Sequence, residues 1–230
     1  MSFEIYEMKK LPLIIIIILI VSSQCLSQRL ELELIVRPAL TSLRGNDFIK
    51  NNFDSKVNIS AGVNLNYVSK NNSILNFAIF YDKKGAGGES YVVLKNEQNQ
   101  IIGEGVVENE SNFDYITIPI QWGKRFGQKV KFQFGVGLYT SFLIKQEQTS
   151  KGLDGLVNST ENNTDNFKQL DFGLSASFYS YVPINKKLSL KAGLDDIFGL
   201  ANASDVPIVN NGTLKHNSLG LSVGLNIKLN

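Results

Sequence analysis

Three side chains in the C-terminal part of the chain are of the types that nucleophilic catalysis requires. His216 and Ser218 are two residues apart, so on a β-strand their side chains share one face. Asp195 precedes them and could lie near the same end of a neighbouring strand. Acyl transfer by a serine hydroxyl needs an acid, a base and a nucleophile within hydrogen-bond reach. The spacing therefore admits a hydrolytic site.

This His-x-Ser spacing resembles that of outer-membrane lipid A deacylases, and the resemblance implies a hydrolase. Two features of the sequence oppose it. The pair shares its face of the strand with Gly220, Ser222 and Asn226. If this strand belongs to a membrane barrel, as the pattern described below predicts, that face points to the interior and not to lipid. No Asp or Glu follows His216. We therefore predict a protein that is not an enzyme and has no catalytic residues, and we keep the deacylase as an alternative.

The sequence gives only weak signals for a site that binds a cofactor, a metal or nucleic acid. The glycine-rich residues 85–88 follow Lys83 and Lys84 and open no helix, so they do not predict a phosphate loop. A single His and, beyond residue 27, no Cys give no set of zinc ligands. A formal net charge of +2 gives no reason to expect a nucleic-acid surface. We predict no cofactor, no metal and no nucleic-acid partner.

The N-terminal segment has the pattern of a secretory signal peptide. Lys9 and Lys10 precede an apolar run at residues 11–21, and small polar residues follow. The run is too short to span about 30 Å of hydrocarbon as a helix. The pattern therefore indicates export of the chain across the inner membrane.

We predict cleavage of this segment after Ser27, so that Gln28 becomes the first residue. The chain then consists of a signal peptide, residues 1–27, and one domain, residues 28–230. A retained membrane anchor and a lipid attached to Cys25 are the alternatives.

The rest of the chain alternates between apolar and polar residues over unusually long stretches. In residues 130–144, the even-numbered positions are almost all apolar, whereas the odd-numbered ones are mostly polar or Gly. Successive side chains of a strand point to opposite faces, so each stretch predicts a two-faced strand. About ten alternating residues is the length that a tilted strand needs to cross a bilayer. Eight segments alternate in this way, four of them (residues 30–40, 75–81, 116–122 and 188–194) more weakly than the other four, at residues 57–67, 130–144, 169–178 and 219–229.

The connections between these segments are alternately long and short. Outer-membrane barrels have short periplasmic turns and longer extracellular loops, so the order predicts a closed antiparallel up-and-down transmembrane β-barrel of about eight strands. Both termini would then be periplasmic. Within the longest connection we expect a hairpin at residues 91–107 with its turn at residues 96–99. The connections are residues 41–56, 69–73, 82–112, 126–129, 146–166, 184–187 and 199–214.

The face opposite the apolar one carries charges of both signs. An eight-stranded barrel is just wide enough for its side chains to fill. We therefore expect these groups to form a polar plug in which buried charges are paired, with a small conducting path as the alternative. The predicted inward charges are Glu31, Glu33, Arg37, Lys131, Asp171, Lys191, Asp195 and Lys228.

Residues 113–126 read FDYITIPIQWGKRF, a Tyr followed by an Ile-Pro pair and a basic-aromatic end. Together with the glycine-rich residues 134–143, residues 167–178 and residues 193–197, this stretch resembles the PorT-like outer-membrane β-barrel family of Bacteroidetes. The resemblance covers most of the predicted domain. It implies an integral outer-membrane barrel, and some members of that family take part in protein secretion and gliding. The terminal Asn230 departs from the aromatic residue that commonly ends such barrels.

The predicted function is that of a non-enzymatic outer-membrane protein in contact with membrane lipid. Its long extracellular loops would bind or scaffold a protein or another envelope component, in connection with secretion or envelope organisation. The alternative from another class is a soluble periplasmic barrel of the lipocalin type, with a hydrophobic ligand inside. The two differ in whether the apolar face points outward or inward.

Overall fold

The computed structural model describes residues 29–229, so the predicted signal peptide lies outside the described residues. No helix in this part of the chain is long and apolar enough to cross a membrane. The principal elements are β1 (Arg29–Gly45), α1 (Asp47–Asn52), β2 (Asp54–Val68), β3 (Ser73–Lys95), β4 (Ile101–Phe126), β5 (Lys131–Gly152), β6 (Val157–Asn162), β7 (Leu170–Pro183), β8 (Leu188–Gly199) and β9 (Leu214–Lys228).

Eight of the nine described strands form a closed antiparallel ring. The ring runs through β1, β2, β3, β4, β5, β7, β8 and β9 in sequence order. It closes where β1 pairs with β9, from Glu31 opposite Lys228 to Gly45 opposite Leu214. The predicted barrel is therefore confirmed. The additional strand, β6, pairs with β5 outside the ring, in a region that the sequence assigns to the loop at residues 146–166.

The strand register determines how strongly the strands tilt. A path that starts at Leu32 and moves from each residue to its partner on the next strand returns to β1 at Ser42, ten residues further along. With about 3.3 Å per residue along a strand and about 4.8 Å between strands, this stagger over eight strands corresponds to a tilt of about 40°. The interior of such a barrel is narrow enough for side chains to fill it.

Each barrel strand has an outward and an inward face, as the alternation predicts. Phe134 and Leu221 point outward and are 40% and 50% exposed, whereas Gln133 and Ser222 point inward and are 1% and 0% exposed. The outward side chains form an apolar belt around the barrel. A barrel of the lipocalin type has the opposite arrangement, so that alternative is wrong.

Two strands are much longer than the alternation indicates. β3 and β4 stay paired up to a tight turn at residues 96–99, so the predicted loop at residues 82–112 is wrong over most of its length. In this turn the backbone N–H of Asn96 donates to the carbonyl oxygen of Gln100 at 2.9 Å. The hairpin that the sequence places here is therefore confirmed.

Strand β5 also continues beyond its predicted end at Ile144. Tyr115 pairs with Leu143 and Asp114 pairs with Lys145, which leaves Ile144 as an extra residue in a β-bulge. A bulge inverts the alternation between the two faces for the residues that follow it. The alternation in the sequence therefore breaks at Ile144 although the strand continues.

The connections differ between the two ends of the barrel. Tight turns at residues 69–72, 127–130 and 184–187 lie at one end, here called the turn end. The other, here called the loop end, carries α1 and the longer connections. α1 begins after Asn46, whose side chain accepts a hydrogen bond from the backbone N–H of Ile49 at 3.3 Å. The predicted order of long and short connections is thus observed except between β3 and β4, which a tight turn joins, and a helix stands within the predicted loop at residues 41–56.

Candidate functional site

A buried ion pair lies inside the barrel toward the turn end. Nζ of Lys191 donates to Oε2 of Glu33 at 2.6 Å, and the two side chains are 1% and 0% exposed. The same carboxylate accepts hydrogen bonds from Nδ2 of Asn64 at 2.7 Å and from the Tyr181 hydroxyl at 2.9 Å. The ammonium compensates the charge of Glu33, and the neutral donors saturate its oxygens. This cluster ties together β1, β2, β7 and β8.

A second ion pair crosses the interior beside the first. Nη1 of Arg125 donates to Oε2 of Glu31 at 2.7 Å, and Nη2 of Arg125 donates to Oε1 of Gln133 at 2.8 Å. The guanidinium also lies over the ring of Tyr181, 4.4 Å from its centroid. The alternation predicts that Glu31 faces inward, but it does not predict the partner of Glu31, because the basic end of β4 has the pattern of the approach to a turn.

The middle of the barrel is organised around Arg37. Its Nε donates to Asp195, and its Nη1 lies 3.5 Å from Oδ1 of Asp82. Nη1 also donates to the Ser218 hydroxyl at 3.0 Å, and Asp195 accepts a further hydrogen bond from Ser222. One guanidinium therefore links carboxylates from β3 and β8, two strands on opposite sides of the ring.

A fourth buried cation, Lys84, lies nearer the loop end. Its Nζ is 3.3 Å from Oδ2 of Asp171 and 3.8 Å from Oδ2 of Asp82. The Tyr139 hydroxyl donates to Asp171 at 3.0 Å, and the ammonium lies 4.7 Å from the ring centroids of Tyr115 and Tyr139. The sequence identified Asp171, whereas it placed Asp82 and Lys84 in a loop.

These contacts fill the interior with paired charges. The middle of the barrel contains a cavity of about 20 Å³, lined among others by Arg37, Asp82 and Asp195. This volume holds about one water molecule. The interior is therefore a polar plug, and the geometry gives no support to the conducting path.

The loop end of the barrel is closed by an apolar cluster. Ile49 reaches it from α1, and Phe113 packs edge-to-face against Phe167 with ring centroids 4.9 Å apart. The segments of chain that join the strands at this end thus fold over the mouth and seal it. The buried members of the cluster are Leu43, Ile49, Ala86, Phe113, Tyr115, Ala203 and Leu214.

The turn end, in contrast, has an open vestibule lined by several basic side chains. Lys131 and Lys228, which the sequence predicts to face inward, line a cavity of about 360 Å³ together with Arg125 and Lys129. Among residues 29–229, no carboxylate lines this cavity. These two lysines therefore belong to an electropositive mouth and not to the paired interior network.

The structure does not assemble the candidate catalytic residues into a triad. His216 and Ser218 are both fully buried inside the barrel. Nε2 of His216 lies 3.2 Å from the Tyr115 hydroxyl, while the Ser218 hydroxyl and Asp195 both contact Arg37. The hydroxyl is thus held by a cation instead of a base. Within residues 29–229, no group of three or more His, Cys, Asp or Glu side chains is arranged to hold a metal ion.

Four strands continue beyond the loop end as a free-standing sheet, here called the wall. It consists of residues 88–109 of the β3–β4 hairpin and residues 147–162 of β5 and β6. β4 pairs with β5 as far as Val107 opposite Gly152, and β5 pairs with β6 along the whole of β6. The wall is therefore one sheet with the order β3, β4, β5, β6.

The wall has two open edges and exposed apolar side chains. Pairing of β2 with β3 ends at Gly87, so residues 88–95 have a partner strand on one side only. Tyr91 and Val93 on this edge are 65% and 42% exposed.

Near the base of the wall, a hydrogen bond from Lys56 holds the pKa of Glu110 below its usual value.

An apolar belt outside, paired charges inside and a closed ring of eight tilted strands define a transmembrane β-barrel. The family model of the outer membrane protein beta-barrel domain matches residues 36–205. The chain belongs to this family, which places it in the outer membrane.

The chain is also similar to solved β-barrels. Neisserial surface protein A is 15% identical, with coverage of 87% of this chain and 97% of that chain and a TM-score of 0.48. The N-terminal β-barrel domain of Pseudomonas aeruginosa OprF is 13% identical, with 87% and 98% coverage and a TM-score of 0.38. The attachment invasion locus protein Ail of Yersinia pestis is 10% identical, with 86% and 99% coverage and a TM-score of 0.39. No curated protein matches the chain.

Proposed function

We propose that this protein is a non-enzymatic outer-membrane barrel that uses its wall to bind or scaffold a partner outside the cell. In this proposal the turn end and both termini are periplasmic, and the loop end is extracellular. The paired charges of the interior stabilise the barrel and do not react. Short turns on the periplasmic side and longer loops outside are the usual arrangement of such barrels.

The observation that carries this proposal is the open edge of β3 in the wall. A strand edge with free N–H and C=O groups is a template for the addition of another strand, and natural proteins usually protect such edges. Residues 88–95 form such an edge, and the side chains of Tyr91 and Val93 are exposed beside it. Strand addition combines main-chain hydrogen bonds with side-chain pockets, so the edge suits an extended segment of a protein.

We also propose that this protein is one of the PorT-like barrels of Bacteroidetes and that it has a role in secretion or envelope organisation. The residues that carry the resemblance lie on barrel strands: residues 113–126 on β4 and residues 134–143 on β5. They belong to the transmembrane scaffold and not to the wall. The resemblance therefore supports a common scaffold, and the choice of partner depends on the wall.

Site-specific photocrosslinking in intact cells tests the proposed function. A photoreactive amino acid at Val93 on the open edge should crosslink to a discrete partner, whereas the same group at Phe134 should reach lipid only. Replacing residues 88–109 by a short turn should abolish the capture of that partner, while the barrel still reaches the outer membrane. Equal capture by both positions, or capture that survives the deletion, would contradict the role of the wall.

A further inference from the structure

The vestibule at the turn end contains positive charge that the protein does not neutralise. Lys131 and Lys228 line it from β5 and β9, and Lys129 lines it from the turn before β5. Among residues 29–229, none of these three lysines has an ion-pair partner. The four buried cations deeper in the barrel, in contrast, all contact carboxylates. The charge of the vestibule is therefore available to a molecule from outside the chain.

Two buried polar side chains in the vestibule also lack partners. Ser189 on β8 and Asn226 on β9 are opposite each other in the sheet, line the vestibule, and are 5% and 1% exposed. Neither side chain makes a hydrogen bond to another described residue, and Oδ1 of Asn226 is buried. A buried polar group without a partner is unfavourable, so a bound molecule that supplies the missing hydrogen bonds gains free energy.

The vestibule is a blind pocket that opens at the end of the barrel. Arg125 and Tyr181 line its buried part, and they are held in place by hydrogen bonds to Glu31, Gln133 and Glu33. Its volume of about 360 Å³ lies within the range of pockets that hold small molecules. Because the strands of the ring surround it, a ligand enters along the barrel axis from water and not from lipid.

We propose that the vestibule binds a small soluble molecule that carries a phosphate monoester group. Such a group has a charge of nearly −2 at neutral pH and three strong acceptor oxygens. These oxygens accept hydrogen bonds from the lysine ammonium groups and from the Ser189 hydroxyl, and the contacts with the ammonium groups are the stronger ones because both partners are charged. Oδ1 of Asn226 accepts a hydrogen bond from a hydroxyl group elsewhere in the same molecule.

A soluble phosphate monoester fits the vestibule better than a carboxylate or a lipid does. A single carboxylate neutralises only one of the three lysines. A phospholipid headgroup offers the same phosphate chemistry, but its acyl chains would have to leave the hydrocarbon to reach the barrel axis. In the proposed orientation the vestibule opens to the periplasm. The inference does not depend on the proposed role of the wall.

Calorimetric titration of the purified protein in a neutral detergent with glycerol 3-phosphate tests the site. We expect saturable binding that added salt weakens, because the contacts are ionic. Replacing both Lys131 and Lys228 by Gln should raise the dissociation constant about tenfold or more, as expected for the loss of hydrogen bonds between charged groups. Both variants in this comparison should fold, because these lysines make no ion pair in the barrel.

The matched control is the double variant Lys124→Gln and Lys187→Gln. It removes the same charge from exposed positions at the same end of the barrel, outside the vestibule, and should leave the dissociation constant nearly unchanged. The absence of saturable binding to the unmodified protein, or an equal loss of binding in the two double variants, would overturn the proposal.

Ser189→Ala separates recognition of the ligand from a structural role. The hydroxyl has no partner in the free protein, so its removal should not lower the free energy of unfolding, whereas the dissociation constant should rise about tenfold. A less stable variant that binds glycerol 3-phosphate as tightly as before would contradict the proposed contact.

Competition with a short-chain phosphatidic acid distinguishes a soluble ligand from a lipid. This lipid has the phosphate group of glycerol 3-phosphate together with acyl chains, so a site that excludes lipid should bind it much more weakly. Equal displacement of glycerol 3-phosphate by the lipid and by unlabelled glycerol 3-phosphate would assign the site to a lipid headgroup and refute the proposed soluble ligand.

Discussion

Lys191 and Glu33 lie 158 residues apart in the sequence and meet at 2.6 Å inside the barrel, where both are almost completely buried. Neither residue has another ion-pair partner among the described residues. The contact depends on the closed ring, since β8 and β1 are not adjacent strands. Each group compensates a charge that would otherwise be buried alone.

We expect Lys191→Met to lower the free energy of unfolding by about 3–5 kcal/mol, because it leaves Glu33 buried and uncompensated. Adding Glu33→Gln should recover much of this loss, and urea unfolding in lipid vesicles measures both. The exposed pair of Lys56 and Glu110 is the matched control, where Lys56→Met should cost about 1 kcal/mol or less. Strictly additive effects in the buried double variant would contradict the pairing.

Arginine substitutions test which face contacts lipid. Phe134→Arg and Leu221→Arg should each destabilise the barrel by about 2–4 kcal/mol, and the cost should fall for sites near the ends of the strands. Spin labels give an independent measurement, since a lipid-soluble quencher should reach position 134 better than position 133. A reversed order of quenching would show that the faces are exchanged.

Thiol labelling of intact cells tests the orientation of the barrel. An impermeant reagent should modify Asn158→Cys on β6 and leave Asn185→Cys in a turn at the opposite end unmodified. Both positions are exposed in the structure, so a difference reports sidedness and not burial. Permeabilised cells provide the control, because both positions should then react. Labelling of position 185 alone would invert the proposed topology.

Cell fractionation tests the predicted processing. The protein should be recovered in the outer-membrane fraction with Gln28 as its first residue, because residues 1–27 have the pattern of a signal peptide. N-terminal sequencing of the purified protein checks the cleavage site. Ser27→Leu should slow cleavage, since it removes the small residue before the predicted site. An N-terminus that still includes Lys9 would contradict this prediction.

The alternation of the sequence was sufficient to predict the eight barrel strands, because each crosses the belt with one apolar and one polar face. It was insufficient where the backbone becomes irregular. At Ile144 a bulge inverts the alternation, so a strand that continues reads as a loop. The four residues from Gly85 to Gly88 have the composition of a turn although they lie within β3. Gly85 has φ of +153°, and a Cβ there would lie 2.2 Å from the carbonyl oxygen of Ser111.

The sequence predicts on which face of a strand a side chain lies, but it does not predict which residues the inward side chains contact. The shared face of His216 and Ser218 was predicted correctly, but their contacts depend on distant strands. His216 meets Tyr115, 101 residues away, and Ser218 meets Arg37, 181 residues away. Such contacts follow from the ten-residue stagger of the ring, which no local pattern encodes.

The pairing of β1 with β9 also constrains how the barrel is made. These strands are the first and the last of the domain, so their hydrogen bonds form only after nearly the whole chain is available. Contacts of high sequence separation slow folding, because the entropy of closing the chain is lost before they form. Until the ring closes, β1 and β9 keep unpaired edges that hydrocarbon cannot satisfy. We therefore expect closure to be the rate-limiting and final step of membrane insertion.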